Sequence, residues 1–155
     1  MEITLKPIGY IHTQAEQVPR HWSQSDVEGT LVLDPRYQEG LRDLKAGEYL
    51  VVIFHLHRSS PFTPRHLVQK PPDREERRGV FSTCSPIRPN PLGLSVFRIL
   101  GIEGHIIRVQ GLDTFDGTPI LDLKPYIEVK KNPGGVEDHP SAEGRGGDEP
   151  MTARS

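Results

Sequence analysis

LGLSVFRILGIEGHIIRVQGL, residues 92–112, holds two apolar runs separated by a glycine-flanked break. Leu92–Leu100 and His105–Leu112 read as the strands of a hairpin turned through Gly101–Gly104, since a short glycine-rich break between β-branched runs is a hairpin connection. In the second strand Ile107 and Val109 share one face, and Ile106, Arg108 and Gln110 share the other. That period of two belongs to a strand with one face in a core. The neighbouring segments extend the same reading in both directions.

Upstream lies RGVFSTCSPIRPNPLGLS, residues 78–95, with Pro86, Pro89 and Pro91. Each proline removes a backbone donor and fixes φ, and each preceding residue is pushed toward extended geometry. The segment is therefore a stiff loop that presents Arg88, Asn90 and Ser95. Downstream is LDTFDGTPILDLKPYI, residues 112–127, in which Asp116-Gly117 marks a tight turn before another strand. Two rigid polar loops flanking one hairpin suggest a binding site where they meet, and we expect Asn90 and Asp116 at the same end of the fold.

Further out, EYLVVIFHLH (residues 48–57) is the most apolar run and reads as a central strand buried on both faces. His55 and His57 would share one face, but two histidines without a third ligand point to a pocket wall, and no metal is expected. Ile3–Ile11 and Gly29–Leu33 read as two more strands. Asp34 as N-cap, Pro35 at the first position and Tyr37, Leu41 and Leu44 in register predict one short amphipathic helix. Thr13–Asp26 is a polar loop containing Pro19-Arg20-His21-Trp22. Arg58–Arg77 is a long polar excursion with four prolines, a length typical of functional or mobile loops.

At least six short strands and one or two short helices predict a mainly all-β fold, a small antiparallel β-barrel spanning residues 1–129. Residues 130–155 are nearly devoid of apolar side chains and are expected to form a disordered polar tail. With 15 glycines and 15 prolines among 155 residues, the composition favours turn-rich β structure. There is no GxGxxG, which argues against a Rossmann domain. The single Cys84 excludes an intramolecular disulfide. No signal peptide or spanning run is visible, so a soluble cytoplasmic protein is expected. The net charge of −2 provides no global basic field. Residues 58–98, however, hold eight basic residues against three acidic ones, a local charge of +5 suited to phosphate.

The blocks RGVFSTCSPIRPNPLGLS and LDTFDGTPILDLKPYI, with VPRHW, GLRDL and VIFHLHR upstream in matching order, resemble the TsaA-like, or TrmO, family over roughly Ile8–Ile127. The resemblance implies a β-barrel that binds S-adenosylmethionine as a homodimer. It also implies methylation of N6-threonylcarbamoyladenosine next to the anticodon in tRNA. Carried over by motif, the cofactor site falls on Pro19, Arg20, His57, Arg58, Leu94, Asp113, Phe115, Asp116, Gly117 and Thr118. Asp116 and His57 are both able to act as the base, and neither is preferred. Arg74, Arg77, Arg78 and Arg88 would meet the RNA backbone. His21 stands where the family usually has glutamine, and Cys84 where it commonly has arginine. Many members continue into a further small domain. The alternatives are a non-catalytic S-adenosylmethionine-binding module and a methyltransferase acting on another substrate.

Overall fold

In the computed structural model residues 1–129 are described; the tail expected from Lys130 lies outside them. Eight strands form: β1 (Gly9–His12), β2 (Glu28–Leu33), β3 (Tyr49–His55), β4 (Val68–Gln69), β5 (Arg78–Gly79), β6 (Leu92–Glu103), β7 (Ile106–Gln110) and β8 (Thr118–Pro125). Six of them close into an antiparallel barrel in the order β1-β2-β7-β6-β3-β8, and β4 and β5 pair separately. Closure is made by β8, which pairs with β1 on one side and β3 on the other. The expected all-β barrel is borne out. No helix among the described residues is long and apolar enough to cross a membrane.

Alternation fills the barrel. Ile11, Leu31, Val52, Phe97, Ile99, Ile107, Val109 and Ile120 are fully buried, one or more from every barrel strand. Phe97 is the largest of them, and its strand pairs with Leu50 of β3 beside it. Gly93 has a packing reason to lack a side chain, because a Cβ there would collide with the Phe54 ring.

Several local expectations are corrected. β1 begins at Gly9 rather than Ile3, since Pro7 cannot join the ladder. β3 ends at His55, so His57 lies in the following turn and does not share a strand face with His55. The strand is also one-sided: Leu50, Val52 and Phe54 enter the core while Val51 and Ile53 are only half-buried. The hairpin turns at Gly104 (φ 61°), and β6 continues to Glu103 through an irregularity between Ile99 and Gly101. The predicted helix is a 3₁₀-helix, Pro35–Leu41. Asp34 caps it as expected, accepting from the Arg36 N–H at 3.0 Å. Gly40 within it and Asp43 at φ 77° beyond it stop a longer helix from propagating.

The register places the end of β1, the end of β3, the start of β6 and the start of β8 at one barrel end: Leu92 is opposite His55, Ile120 opposite Phe54, and Thr118 opposite Ile11. Asn90 and Asp116 therefore lie at the same end, as the sequence suggested. We call this end the mouth.

Candidate cofactor and RNA site at the barrel mouth

The loop between β7 and β8 is held by its glycine turns, by β1 and by the Thr118 hydroxyl. Gly111 and Gly117 take positive φ, 105° and 79°, which side chains rarely tolerate. The Gly117 N–H donates to the Ile11 carbonyl at 2.7 Å, and Thr118 Oγ1 donates to the Phe115 carbonyl at 2.6 Å. Within this loop Asp113 ties two other elements together. Ser95 Oγ on β6 donates to Asp113 Oδ1 at 2.7 Å, and the Trp22 N–H donates to Oδ2 at 3.0 Å. The 3₁₀ turn Trp22–Gln24 is thereby docked against the mouth. Trp22 itself packs half-buried against the core as a lid.

The two loop carboxylates differ in environment. Burial pushes the Asp113 carboxyl above its ordinary value, opposed by hydrogen bonds from Ser95 and Trp22. Asp116 is exposed and is held below its ordinary value by the Thr13 N–H at 3.0 Å, helped by His12 at 3.4 Å. On acidification Asp113 should therefore take up its proton before Asp116, an order that carboxyl carbon NMR titration would read directly. The signs for stability are opposite. The contribution from neutral Asp113 is complete below its unfolded value and is lost as pH rises through its raised folded value. That of Asp116 is present above its unfolded value and is lost as pH falls through its lowered folded value.

His57 follows β3, with its N–H donating to the His55 carbonyl at 2.9 Å. Partial burial, then the charges of Arg58 and His55, push its pKa down, so the ring is mainly neutral near pH 7. The Arg58 guanidinium lies 4.7 Å from the centre of the Phe115 ring, a cation–π contact joining the β3 exit to the β7–β8 loop. Of the four predicted cofactor segments, His57–Arg58 and Asp113–Thr118 thus meet directly, and Pro19-Arg20 is tied to them only through its neighbour Trp22. Leu94 does not join them within one protomer. It alternates with Ser95 on β6 and sits on the outer wall, 58% exposed.

The residues present suit a ligand with sulfonium, amino, ribose and adenine groups. Leu94 and Phe115 are exposed apolar surfaces, Asp116 Oδ2 is left over by the contacts that Oδ1 makes to Thr13 and His12, and Thr114 Oγ1 is buried without a protein partner among the described residues. The proline-rich loop meets the β3 exit rather than the Asp116-Gly117 turn: Arg88, Pro89 and Pro91 line a cleft of about 390 Å³ with His55–His57 and Phe62.

The predicted RNA contacts fall into two kinds. Arg74 is exposed, and Arg77 is exposed with Nη2 donating to the Val68 carbonyl at 2.9 Å. Arg78 is half-buried on β5. Arg88 is turned to its own loop, donating to the Thr83 and Ser85 carbonyls at 2.9 and 3.1 Å. The prolines leave those carbonyls short of backbone donors, and the guanidinium satisfies them. Gln69, which carries no sequence signal of this role, pins the same loop. Its Nε2 donates to the Ile87 carbonyl at 2.8 Å, and Ser85 Oγ donates to its Oε1 at 2.6 Å. Among the described residues no three His, Cys, Asp or Glu side chains are grouped to hold a metal.

Residues 8–130 match the tRNA-methyltransferase O N-terminal domain. The chain belongs to this TrmO family. A probable S-adenosyl-L-methionine-binding protein of Pyrococcus abyssi is 39% identical over 84% of this chain and 73% of its own length. A tRNA (adenine(37)-N6)-methyltransferase of Mus musculus is 34% identical over 66% of this chain but only 24% of its own. The crystal structure of TrmO from Pseudomonas aeruginosa superposes with a TM-score of 0.67 at 31% identity, covering 90% of this chain and 65% of that one. The TrmO domain described here thus spans about a quarter of the mouse enzyme and under two thirds of the bacterial one. S-adenosylmethionine, the cofactor expected from the motif blocks, agrees with the relatives' names, as does a methyltransferase.

Proposed function

We propose that this TrmO domain binds S-adenosylmethionine at the barrel mouth and directs methylation to N6 of threonylcarbamoyladenosine next to the anticodon of tRNA, acting as a cytoplasmic homodimer. The observation that carries the reading is the Asp113 carboxylate, which ties Trp22, next to the Pro19-Arg20 motif, and Ser95 of β6 to the β7–β8 loop. The outward position of Leu94 supports the dimer, because a second copy is the simplest way to bring that wall against a mouth.

When bound, the cofactor supplies an electrophilic methyl group, and the protein's task is chiefly alignment. The acceptor N–H lies between an aromatic ring and a carbonyl, so a modest base suffices. Of the two groups considered, His57 is favoured. Its ring is mainly neutral near pH 7, whereas the Asp116 carboxylate is made less basic by Thr13 and His12. Asp116 is better suited to holding a ribose or amino group, or to offsetting the sulfonium charge.

The test uses purified protein, methyl-labelled S-adenosylmethionine, and tRNA with or without the threonylcarbamoyl group. Label should enter only the modified tRNA, and sedimentation of the same preparation should give a dimer. Tight cofactor binding with no transfer to either RNA would replace this reading with the non-catalytic binding module.

A further inference from the structure

The chain between β3 and β6 leaves the barrel as an arm in which β4 pairs with β5, Val68 opposite Gly79. This arm carries a cleft of about 690 Å³ lined by Thr63, Arg65, His66 and Arg77. No carboxylate lines it, and neither arginine enters an ion pair among the described residues; Glu75 is taken up by Lys70 at 3.7 Å instead.

The donors are pre-positioned. The Thr63 N–H donates to His66 Nδ1 at 3.0 Å, so in the neutral ring the proton sits on Nε2, which has no partner among the described residues. The Arg77 guanidinium is anchored through Nη2 on the Val68 carbonyl, and its other N–H groups have no partner among the described residues. Arg65 makes no hydrogen bond or ion pair among the described residues and supplies a third donor. Two guanidinium groups and an imidazole N–H around a cleft without acids match the oxygens of a phosphate.

Continuity with the mouth indicates where that phosphate comes from. The Phe62 ring lies 6.1 Å from the His66 ring and also lines the neighbouring cleft that holds His57. A strand seated on Arg65 and Arg77 can therefore pass Phe62 toward His57. The same arm exposes Phe81 (77%), Leu67 and Val68, apolar surfaces on which unpaired bases can rest. We propose that Arg65, His66 and Arg77 form a clamp for the phosphodiester backbone of single-stranded RNA, leading the acceptor base to the mouth. This rests on the tRNA reading above and adds Arg65 and His66, which the sequence did not single out.

Arg65→Glu is the deciding variant, since it breaks no hydrogen bond or ion pair among the described residues. Binding of a short oligouridylate and of an unmodified tRNA would be followed by fluorescence anisotropy across a salt series. Arg65→Glu should weaken both RNAs about tenfold or more and flatten the logarithmic salt dependence by about one phosphate contact. Lys45→Glu, the same charge change at the exposed far end of the barrel, should leave both nearly unchanged. Equal losses in the two variants, or no RNA binding by the wild type, would overturn the clamp. So would displacement of RNA by inorganic phosphate well beyond chloride of matched ionic strength, which would indicate a free-phosphate site. If Arg65→Glu loses RNA while the wild type never methylates threonylcarbamoyl tRNA, the clamp stands and the methylation reading fails.

Discussion

Asp113→Ala should cut S-adenosylmethionine affinity at least tenfold while the barrel stays folded. The substitution leaves the Ser95 hydroxyl and the Trp22 N–H without their shared acceptor. Each unpaired donor costs about 1–3 kcal/mol where water cannot replace the partner. Both bonds are part-buried, so the lower end applies, and about 1.4 kcal/mol already corresponds to a tenfold change. The loss falls on the Trp22–Gln24 turn, because the strands keep their own ladders. Calorimetry would give the affinity, and Trp22 fluorescence would report release of the lid. Asp113→Asn keeps one acceptor oxygen and should lie between the variant and the wild type. Unchanged affinity and an unchanged tryptophan signal in Asp113→Ala would mean that this carboxylate docks nothing of consequence.

Phe97→Ala should have the largest effect on stability, a loss of about 3–5 kcal/mol. Phe97 is the largest fully buried side chain, on the longest strand. Its removal takes a ring from the centre of a closed wall that cannot collapse inward without breaking ladder hydrogen bonds. A domain of this size has about 5–15 kcal/mol in total, so much of its margin would go. With urea slopes of about 1–3 kcal/mol/M, the midpoint should fall by at least about 1 M. A shift of a few tenths of a molar would place Phe97 outside the barrel centre.

Much of the wall was legible because local signals dominate there. The β6–β7 hairpin, the inward Ile107 and Val109, and the Asp116-Gly117 turn follow from alternation and turn chemistry within a few residues. The short 3₁₀-helix after Asp34 and the one-sided burial of β3 were not legible. A run such as YLVVIFH is equally apolar whether one face or two are covered. The site was readable only in pieces. Asp113 and Trp22 are 91 residues apart, and no periodicity connects a loop carboxylate to a distant amide. Arg88 looked like a free cation because the sequence shows its charge but not the carbonyls of Thr83 and Ser85 that occupy it. Arg65 looked like one more arginine in a polar stretch, since its isolation from acids appears only once the arm has folded.

Barrel closure between β1 and β8 has a kinetic consequence. Thr13 and Asp116, which meet just beyond that seam, are 103 residues apart in sequence. Loop-closure entropy must be met before such a contact can stabilise anything, whereas the β6–β7 ribbon forms from near neighbours. The seam therefore closes late in folding, on the slower timescale of non-local β pairing. Thr13, His12 and Asp116 sit at its edge, so a chain with every other strand in place still lacks a finished mouth. With the cofactor seated at the mouth as proposed, ligand recognition would report the last event of folding: partly folded chains would be blind to the cofactor, and a bound cofactor would draw the population toward the closed barrel by mass action.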